Sequence, residues 1–447
     1  MAATVYPGRD AAPAGEPVQS AEIPTPGALS DALAWVESGA WFACGPPPRA
    51  RQGWKLYVPF TPVNAREVLD RLAPAMIAAR VHFKYVKDLK TLRKLNAGMF
   101  GYSQVGKSLV IYLPRTDGAL VELLKRLLAR YRGECPAVPC ARPFGDDLPL
   151  YYRYGSYRDR ELTIGGTPRA DERSDAHTAV PSGIRDTLAQ YTTAVRADPE
   201  VDAFLRRYPA FEALEQQGKG GIFLALNLAS ETFQEVVLKV GYHRGQVQPD
   251  GRDGCSFLRR ELAAYRTIAE RGLAALVPRV IDTLDRPRSV IAVLEHIPGS
   301  SLLARKLAGT LTADHLERCW AMLDRFHARG IVLGDAKLAN FLATDAGDLR
   351  AVDFEAAGAL EEERAAMHTF VVTDLQPGDP RTTDRLHFLA SILYPYQSGR
   401  YSWKDRHVQL LPWLNRTPDT DVTAWAVARL LAMVRDVEEH RAYDGGA

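Results

Sequence analysis

The stretch Gly334-Asp335-Ala336-Lys337-Leu338-Ala339-Asn340, followed thirteen residues later by Asp353-Phe354-Glu355, decides how the second half of this chain folds. An Asp, a Lys two residues on and an Asn five residues on fit a single tight loop. The apolar lead-in Ile331-Val332-Leu333 follows residues 323–329, which end a helix containing His327. Residues 340–343 and 349–352 read as two strands around the turn Thr344-Asp345-Ala346-Gly347-Asp348, which carries Asp353 back beside Asn340. Such a loop and hairpin suit phosphoryl transfer: Asp335 beside an incoming hydroxyl, Lys337 beside the moving phosphate, and Asn340 and Asp353 on two sides of Mg²⁺.

Bulk properties set the frame. A chain of 447 residues, 46% hydrophobic and 25% charged with a net charge of +2, is long for one domain and comfortable for two. No apolar run reaches the roughly 18–20 residues of a membrane span, so no membrane contact is expected. Residues 1–28, rich in Ala, Pro and Gly without a basic start and apolar core, read as a disordered leader and not a signal peptide. The scattered cysteines (Cys44, Cys135, Cys140, Cys255, Cys319) form no zinc pattern and read as structural thiols of a cytoplasmic protein. Residues 49–160 hold 21 Lys/Arg against 9 Asp/Glu, a surplus of 12. That surplus reads either as a solvated basic face or as a site for phosphate or an acidic peptide. No recognisable module interleaves it with exposed aromatics, so nucleic acid is not the expected partner.

The expected fold class is α+β in two domains. Residues 29–44 read as a short helix. Strand patterns at 54–60, 81–86 and 108–113 and helical spacing at 64–80 and around Leu120, Leu124 and Leu128 then build an α+β domain over 29–160. Residues 161–183 read as a linker, and 184–440 as a second domain with lobes at about 184–297 and 298–440. Within it the order is suggestive. Gly218, Gly220 and Gly221 form a glycine-rich turn entering a strand, where backbone N–H groups can approach phosphates. A strand then ends in Lys239, placed to contact α/β-phosphates, and Glu261 on a following helix is its natural ion-pair partner. The strand at 290–294 leads to Glu295 at the hinge between lobes, and Thr312 is set to cap the helix running to His327. Singly, each of these is also a turn, an edge lysine or a solvated helix face. In this order they read as a nucleotide site for ATP with Mg²⁺.

The two halves together resemble class III lanthipeptide synthetases, in which a kinase phosphorylates Ser/Thr of a ribosomally made precursor peptide and an N-terminal lyase eliminates the phosphate. A zinc cyclase completes that family. The first half carries the resemblance at Trp54-Lys55-Leu56-Tyr57, Phe83-Lys84, Gly106-Lys107 and Arg153-Tyr154-Gly155. The second carries it at Gly220-Gly221, Lys239, Glu261, Asp335, Asn340 and Asp353-Phe354-Glu355. Two departures stand out. The chain is expected to lack the family's cyclase, stopping at Ala447, which fits the family's split systems, where kinase, lyase and cyclase are separate chains. In the lyase-like site (Lys84, Tyr57, Lys107, Arg153) the resemblance implies Lys84 as base, but Tyr57 stands where an acidic His is expected. A phenol with an ordinary pKa near 10 substitutes poorly for imidazole, although His82 lies on the same strand face as Lys84. Tyr102 and Gln104 also stand where the family has arginines.

The sequence-based expectation is a cytoplasmic ATP- and Mg²⁺-dependent peptide kinase whose N-terminal domain binds peptide or partner. The alternatives are a bifunctional kinase–lyase, a small-molecule phosphotransferase resembling aminoglycoside kinases, and a non-catalytic scaffold. Leu333 where aminoglycoside kinases carry His argues against the second, and retention of Lys239, Asp335, Asn340 and Asp353 argues against the third.

Overall fold

A computed structural model describes residues 22–29, 35–172, 180–248, 250–359, 370–375, 379–394 and 407–444, with side chains through 435. The class is α+β. Residues 1–21 of the expected leader lie outside the described set, but residues 22–28 belong to the first domain. Ile23 is buried in its core, and the Pro24 carbonyl accepts a hydrogen bond from the Tyr85 hydroxyl.

The first domain is built on a seven-stranded antiparallel sheet. Its strands are β1 (Trp35–Ser38), β2 (Trp41–Cys44), β3 (Gln52–Val58), β4 (His82–Val86), β5 (Leu109–Leu113), β6 (Arg142–Pro143) and β7 (Tyr151–Ser156), in the order β1-β2-β4-β5-β3-β7-β6. The helices are α1 (Pro26–Leu29), α2 (Ala65–Ala78), α3 (Leu89–Asn96) and α4 (Gly118–Leu128). Side chains alternate across a strand, so Leu56, Val58, Phe83 and Ile111 face one way, against Val68, Leu72, Leu120 and Leu124 of α2 and α4. Each contributes roughly 1.5–3 kcal/mol by burial. A one-residue slip would send them to the polar face, which fixes the register.

Two expectations need correction here. Of residues 29–44, expected as a short helix, 30–34 lie outside the described residues and 35–44 form the hairpin β1–β2, turned at Gly39 with φ +58°. The alternation that made it a hairpin is short and was masked by helix-compatible Ala, Leu and Glu. The linker segment contains a second hairpin, β8 (Glu161–Ile164) and β9 (Thr167–Ala170). Its turn is Gly165-Gly166, both at positive φ, the backbone that a two-residue hairpin loop demands. Residues 184–191 also pack on the first domain: Leu188 is buried in its core, and the Trp54 indole donates to Thr187 Oγ1 at 3.0 Å.

After α5 (Pro199–Arg207), a second antiparallel sheet follows. It comprises β10 (Ala210–Gln216), β11 (Gly220–Leu226), β12 (Glu235–Tyr242), β13 (Val280–Arg286) and β14 (Ser289–Glu295), in the order β10-β11-β12-β14-β13, backed by α6 (Gly254–Glu270). Beyond it come β15 (Gly299–Ser301), α7 (Leu302–Leu307) and α8 (Ala313–Ala328), the last started by a Thr312–His315 capping box. Then follow β16 (Ile331–Val332), the hairpin β17 (Phe341–Thr344) and β18 (Leu349–Ala351), β19 (Gly358–Ala359), α9 (Pro380–Leu393) and α10 (Asp421–Asp444). All five cysteines are free thiols. Among the described residues no helix is long and apolar enough to cross a membrane.

Loops of the two domains meet. The Gly218 amide donates to the Ala97 carbonyl at the end of α3 (3.3 Å), His243 Nε2 lies 2.9 Å from the Gly133 carbonyl, and Arg244 pairs with Glu134.

Candidate active site

The loop between β16 and β17 collects the residues singled out from sequence. Gly334 has φ +75°, and a Cβ there would lie 2.4 Å from the Ala356 carbonyl oxygen, so only glycine lets the loop close. Asp335 follows, with Lys337 Nζ 2.6 Å from its Oδ2. Asn340 Nδ2 donates to the Asp335 carbonyl at 3.0 Å, and the Asn340 carbonyl accepts from the Val352 amide at 2.9 Å. That bond extends the β17–β18 register, in which Phe341 faces Ala351, and so sets Asp353 beside Asn340. Asp353 itself has φ +66°, a left-handed backbone that costs a non-glycine residue of order 1–3 kcal/mol and clusters at functional sites.

Lys239 on β12 reaches across to this corner. Its ammonium lies 2.7 Å from both Glu261 carboxylate oxygens and 3.0 Å from Asp353 Oδ1. Burial works against the Lys239 charge, but Asp353 and Glu261 outweigh it and hold its pKa well above the ordinary lysine value. Burial also works against the Asp353 carboxylate. Lys239, Lys219 and Lys337 overcome that and hold it well below the usual carboxylate range. Glu261 is 2% exposed, and burial with the neighbouring Asp353 pushes its carboxyl up against the pull of Lys239. Phe354, fully buried, packs edge-on to Tyr265 of α6 with ring centroids 5.1 Å apart and locks the segment after Asp353 to that helix.

The corner has oxygen ligands of the right hardness for Mg²⁺ in the Asn340 amide and Asp353 carboxylate. Among the described residues no group of three or more His, Cys, Asp and Glu could hold a metal ion. Two such ligands would suit magnesium, which keeps several waters and phosphate oxygens when held by one or two carboxylates.

Other expected residues fall differently. Glu295 ends β14, and its carboxylate accepts from the Arg279 amide at 3.1 Å, engaged with β13's lead-in. The glycine-rich turn is present, but its amides are partly engaged: Gly218 N–H donates to Ala97 and Gly220 N–H to the Gln217 carbonyl. Glycine is required there by close backbone approach. A Cβ on Gly218 would fall 1.5 Å from the Asn96 carbonyl oxygen, and one on Gly220 2.0 Å from that of Val240.

Asp384 of α9 was not found from sequence. It is fully buried, accepts the Leu333 and Gly334 amides at 2.7 Å each, and lies 3.0 Å from His327 Nε2. It therefore anchors the loop carrying Asp335. Ser391, two turns further along the same face of α9, accepts the Leu338 amide at 3.0 Å.

On the first domain, alternation brings Lys55, Tyr57, Lys84, Tyr112 and Arg153 to the sheet face opposite α2 and α4. Lys84 Nζ sits 4.5 Å from the Trp41 ring centroid, and Lys107 Nζ, on a side chain 4% exposed, 4.9 Å from that of Tyr57. The Arg153 guanidinium pairs with Asp171 and donates to the Glu172 carbonyl. Lys55 donates to the Ser156 carbonyl. His82 shares the Lys84 face, with Nδ1 3.0 Å from the Gly45 carbonyl. Part of the basic surplus is thus a half-buried cluster among aromatic rings and not a solvated face.

Comparison with known proteins agrees with this architecture. Residues 24–196 match the family described as RamC, N-terminal domain. The chain is similar to a SapB synthase of Streptomyces coelicolor, 29% identical over 364 residues, 73% of this chain and 38% of the synthase. It is also similar to a CBL-interacting protein kinase 13 of Oryza sativa subsp. japonica, 25% identical over 248 residues, 52% of this chain and 47% of the kinase. The chain thus spans less than half the length of either relative. Together these similarities support a modifying enzyme related to the lanthipeptide synthetases, with a kinase-like relationship in addition.

Proposed function

We propose that this chain is an ATP-dependent kinase that phosphorylates Ser/Thr of a ribosomally made precursor peptide in lanthipeptide-type biosynthesis. The single observation carrying the reading is the continuous chain of contacts from Lys239 through Asp353, Val352 and Asn340 to Asp335. It supports one connected corner with a cation at one end and, at the other, a carboxylate able to meet a hydroxyl. Mg²⁺, when bound, would neutralise charge on the transferred phosphoryl group. The chain's own part is positioning. Asp335 orients the substrate hydroxyl and accepts its proton late, and Lys337, already against Asp335, steadies the phosphate. Asn340 and Asp353 hold the ion. Lys239, kept charged and fixed by Glu261, orients the α/β-phosphates. The similarity to a SapB synthase supports a peptide substrate.

The basic aromatic face of the first domain is read as a binding surface for peptide or partner. Elimination of phosphate needs a base and an acid. Lys84 could serve as base, but Tyr57, its ring against the Lys107 ammonium, has the chemistry of a positioning group more than of an acid.

The test is incubation of the full chain with Mg²⁺, labelled ATP and either a Ser/Thr-rich peptide or an aminoglycoside, read by label and mass. The reading expects label on peptide and a gain of about 80 Da, the mass of HPO₃. A loss of about 18 Da, the mass of water, would assign elimination as well. Label on the sugar alone overturns the reading.

A further inference from the structure

Lys219 lies between Gly218 and Gly220 in the turn before β11, and its ammonium sits 2.5 and 2.6 Å from the two Glu355 carboxylate oxygens. The pair joins the first lobe's turn to the residue two beyond Asp353. It lines the same cavity of about 70 Å³ as Gly221, Lys239, Glu261 and Asp353. Within that cavity four carboxylates (Glu215, Glu261, Asp353, Glu355) line the wall with two ammonium groups (Lys219, Lys239). Lys239 is shared by two of the carboxylates, while Lys219 is bonded to Glu355. The amides of Gly218 and Gly220 are engaged with protein carbonyls, so what this turn presents to the cavity is a side-chain cation.

On the kinase reading above, on which this rests, we propose that Lys219 is a second phosphate-binding lysine, held in reserve by Glu355 as an internal stand-in for a nucleotide's phosphate oxygens. A carboxylate and a phosphate oxygen offer an ammonium the same charge-assisted hydrogen bond. Nucleoside triphosphate entering the cavity therefore exchanges with Glu355 for Lys219 and does not add to an unoccupied cation. The Lys219–Glu355 pair bridges the cleft when no nucleotide is present, and its opening is part of the apparent binding affinity. Two opposite effects follow. Removing the Glu355 charge frees Lys219 and lifts a repulsion, so binding tightens. Removing the Lys219 charge deletes the contact, so binding weakens.

The experiment is calorimetric titration of the full chain with ATP and with AMP, with and without Mg²⁺, for wild type, Lys219→Gln, Glu355→Gln, the double variant and Lys239→Ala. Glu355→Gln is expected to bind metal-free ATP several-fold, up to about tenfold, more tightly, and Lys219→Gln about tenfold more weakly. The double variant should fall between Lys219→Gln and wild type, because it lacks the lysine contact but also the Glu355 repulsion, and AMP should be affected little. Equal weakening by both single variants would mean a merely structural pair and overturn the proposal. So would a Glu355→Gln loss confined to Mg²⁺, which would make Glu355 a metal ligand. In either case wild-type ATP binding lost in Lys239→Ala leaves the kinase reading standing. Absence of nucleotide binding by the wild-type chain overturns both.

Discussion

Replacing Asp384 with Asn tests whether the loop carrying Asp335 is held from beneath. The wild-type carboxylate is fully buried and receives the Leu333 and Gly334 amides at 2.7 Å and the His327 ring at 3.0 Å. Asparagine keeps the shape but offers one acceptor oxygen in place of two. Its NH₂ must then face one of the three donors. One buried amide loses its partner, costing about 1–3 kcal/mol, and the survivors lose charge assistance worth a further ~1 kcal/mol. Against a stability of about 5–15 kcal/mol the domain still folds. The loop's resting geometry does not survive. A displacement near 1 Å at a reacting group costs on the order of 100-fold in rate. The expected result, by steady-state kinetics on a peptide substrate, is kcat down about 100-fold with the KM for ATP nearly unchanged, since Lys239 and Glu261 lie on other elements. Thermal unfolding should shift down in parallel. Wild-type kcat in a folded Asp384→Asn chain would refute the anchoring argument.

Three further outcomes follow from the geometry. Gly334→Ala places a Cβ 2.4 Å from the Ala356 carbonyl at φ +75°, so a clear fall in melting temperature and loss of phosphorylation are expected; wild-type melting would contradict the close approach. Glu134→Arg and Arg244→Glu should each weaken the contact between the domains, and the double exchange should restore it, read as melting temperature and domain-boundary proteolysis. Non-additivity absent from that cycle would show that the pair carries no coupling. His243 has its pKa raised above 6.5 by its hydrogen bond to Asp253 and by the Gly133 carbonyl. A group whose folded pKa is raised adds stability below its unfolded pKa and loses it as pH rises through the folded value. The doubly protonated ring donates from both nitrogens. Melting temperature should therefore fall from pH 6 towards 8.5 more steeply in wild type than in His243→Gln, and parallel curves would reject the link.

How much of this was legible depended on whether chemistry or packing dictated the residues. The run from Gly334 to Asn340 and the return to Asp353 were readable because hydrogen bonds across a short hairpin fix their spacing, and the observed strands Phe341–Thr344 and Leu349–Ala351 differ from the expected bounds by a single residue. Lys239 and Glu261 were readable as a pair by order alone, and they meet at 2.7 Å. Asp384 was not, since nothing local ties it to a loop some fifty residues earlier. A signal existed, however: Asp384, His387 and Ser391 repeat at helical spacing on the otherwise apolar buried face of α9. The hairpin over 161–170 was hidden by low hydrophobicity, although Gly165-Gly166 between two extended runs is a turn signature. Gly218 carried the wrong reason, because its neighbour is the end of α3, a contact between domains that no local pattern announces.

Transfer of labelled phosphate from ATP to a Ser/Thr-rich peptide by the full chain, compared with Asp335→Asn, tests the central claim most directly. The account predicts label on the wild-type reaction's peptide, none with Asp335→Asn, and ATP affinity in that variant within severalfold of wild type. Normal turnover by Asp335→Asn would contradict it.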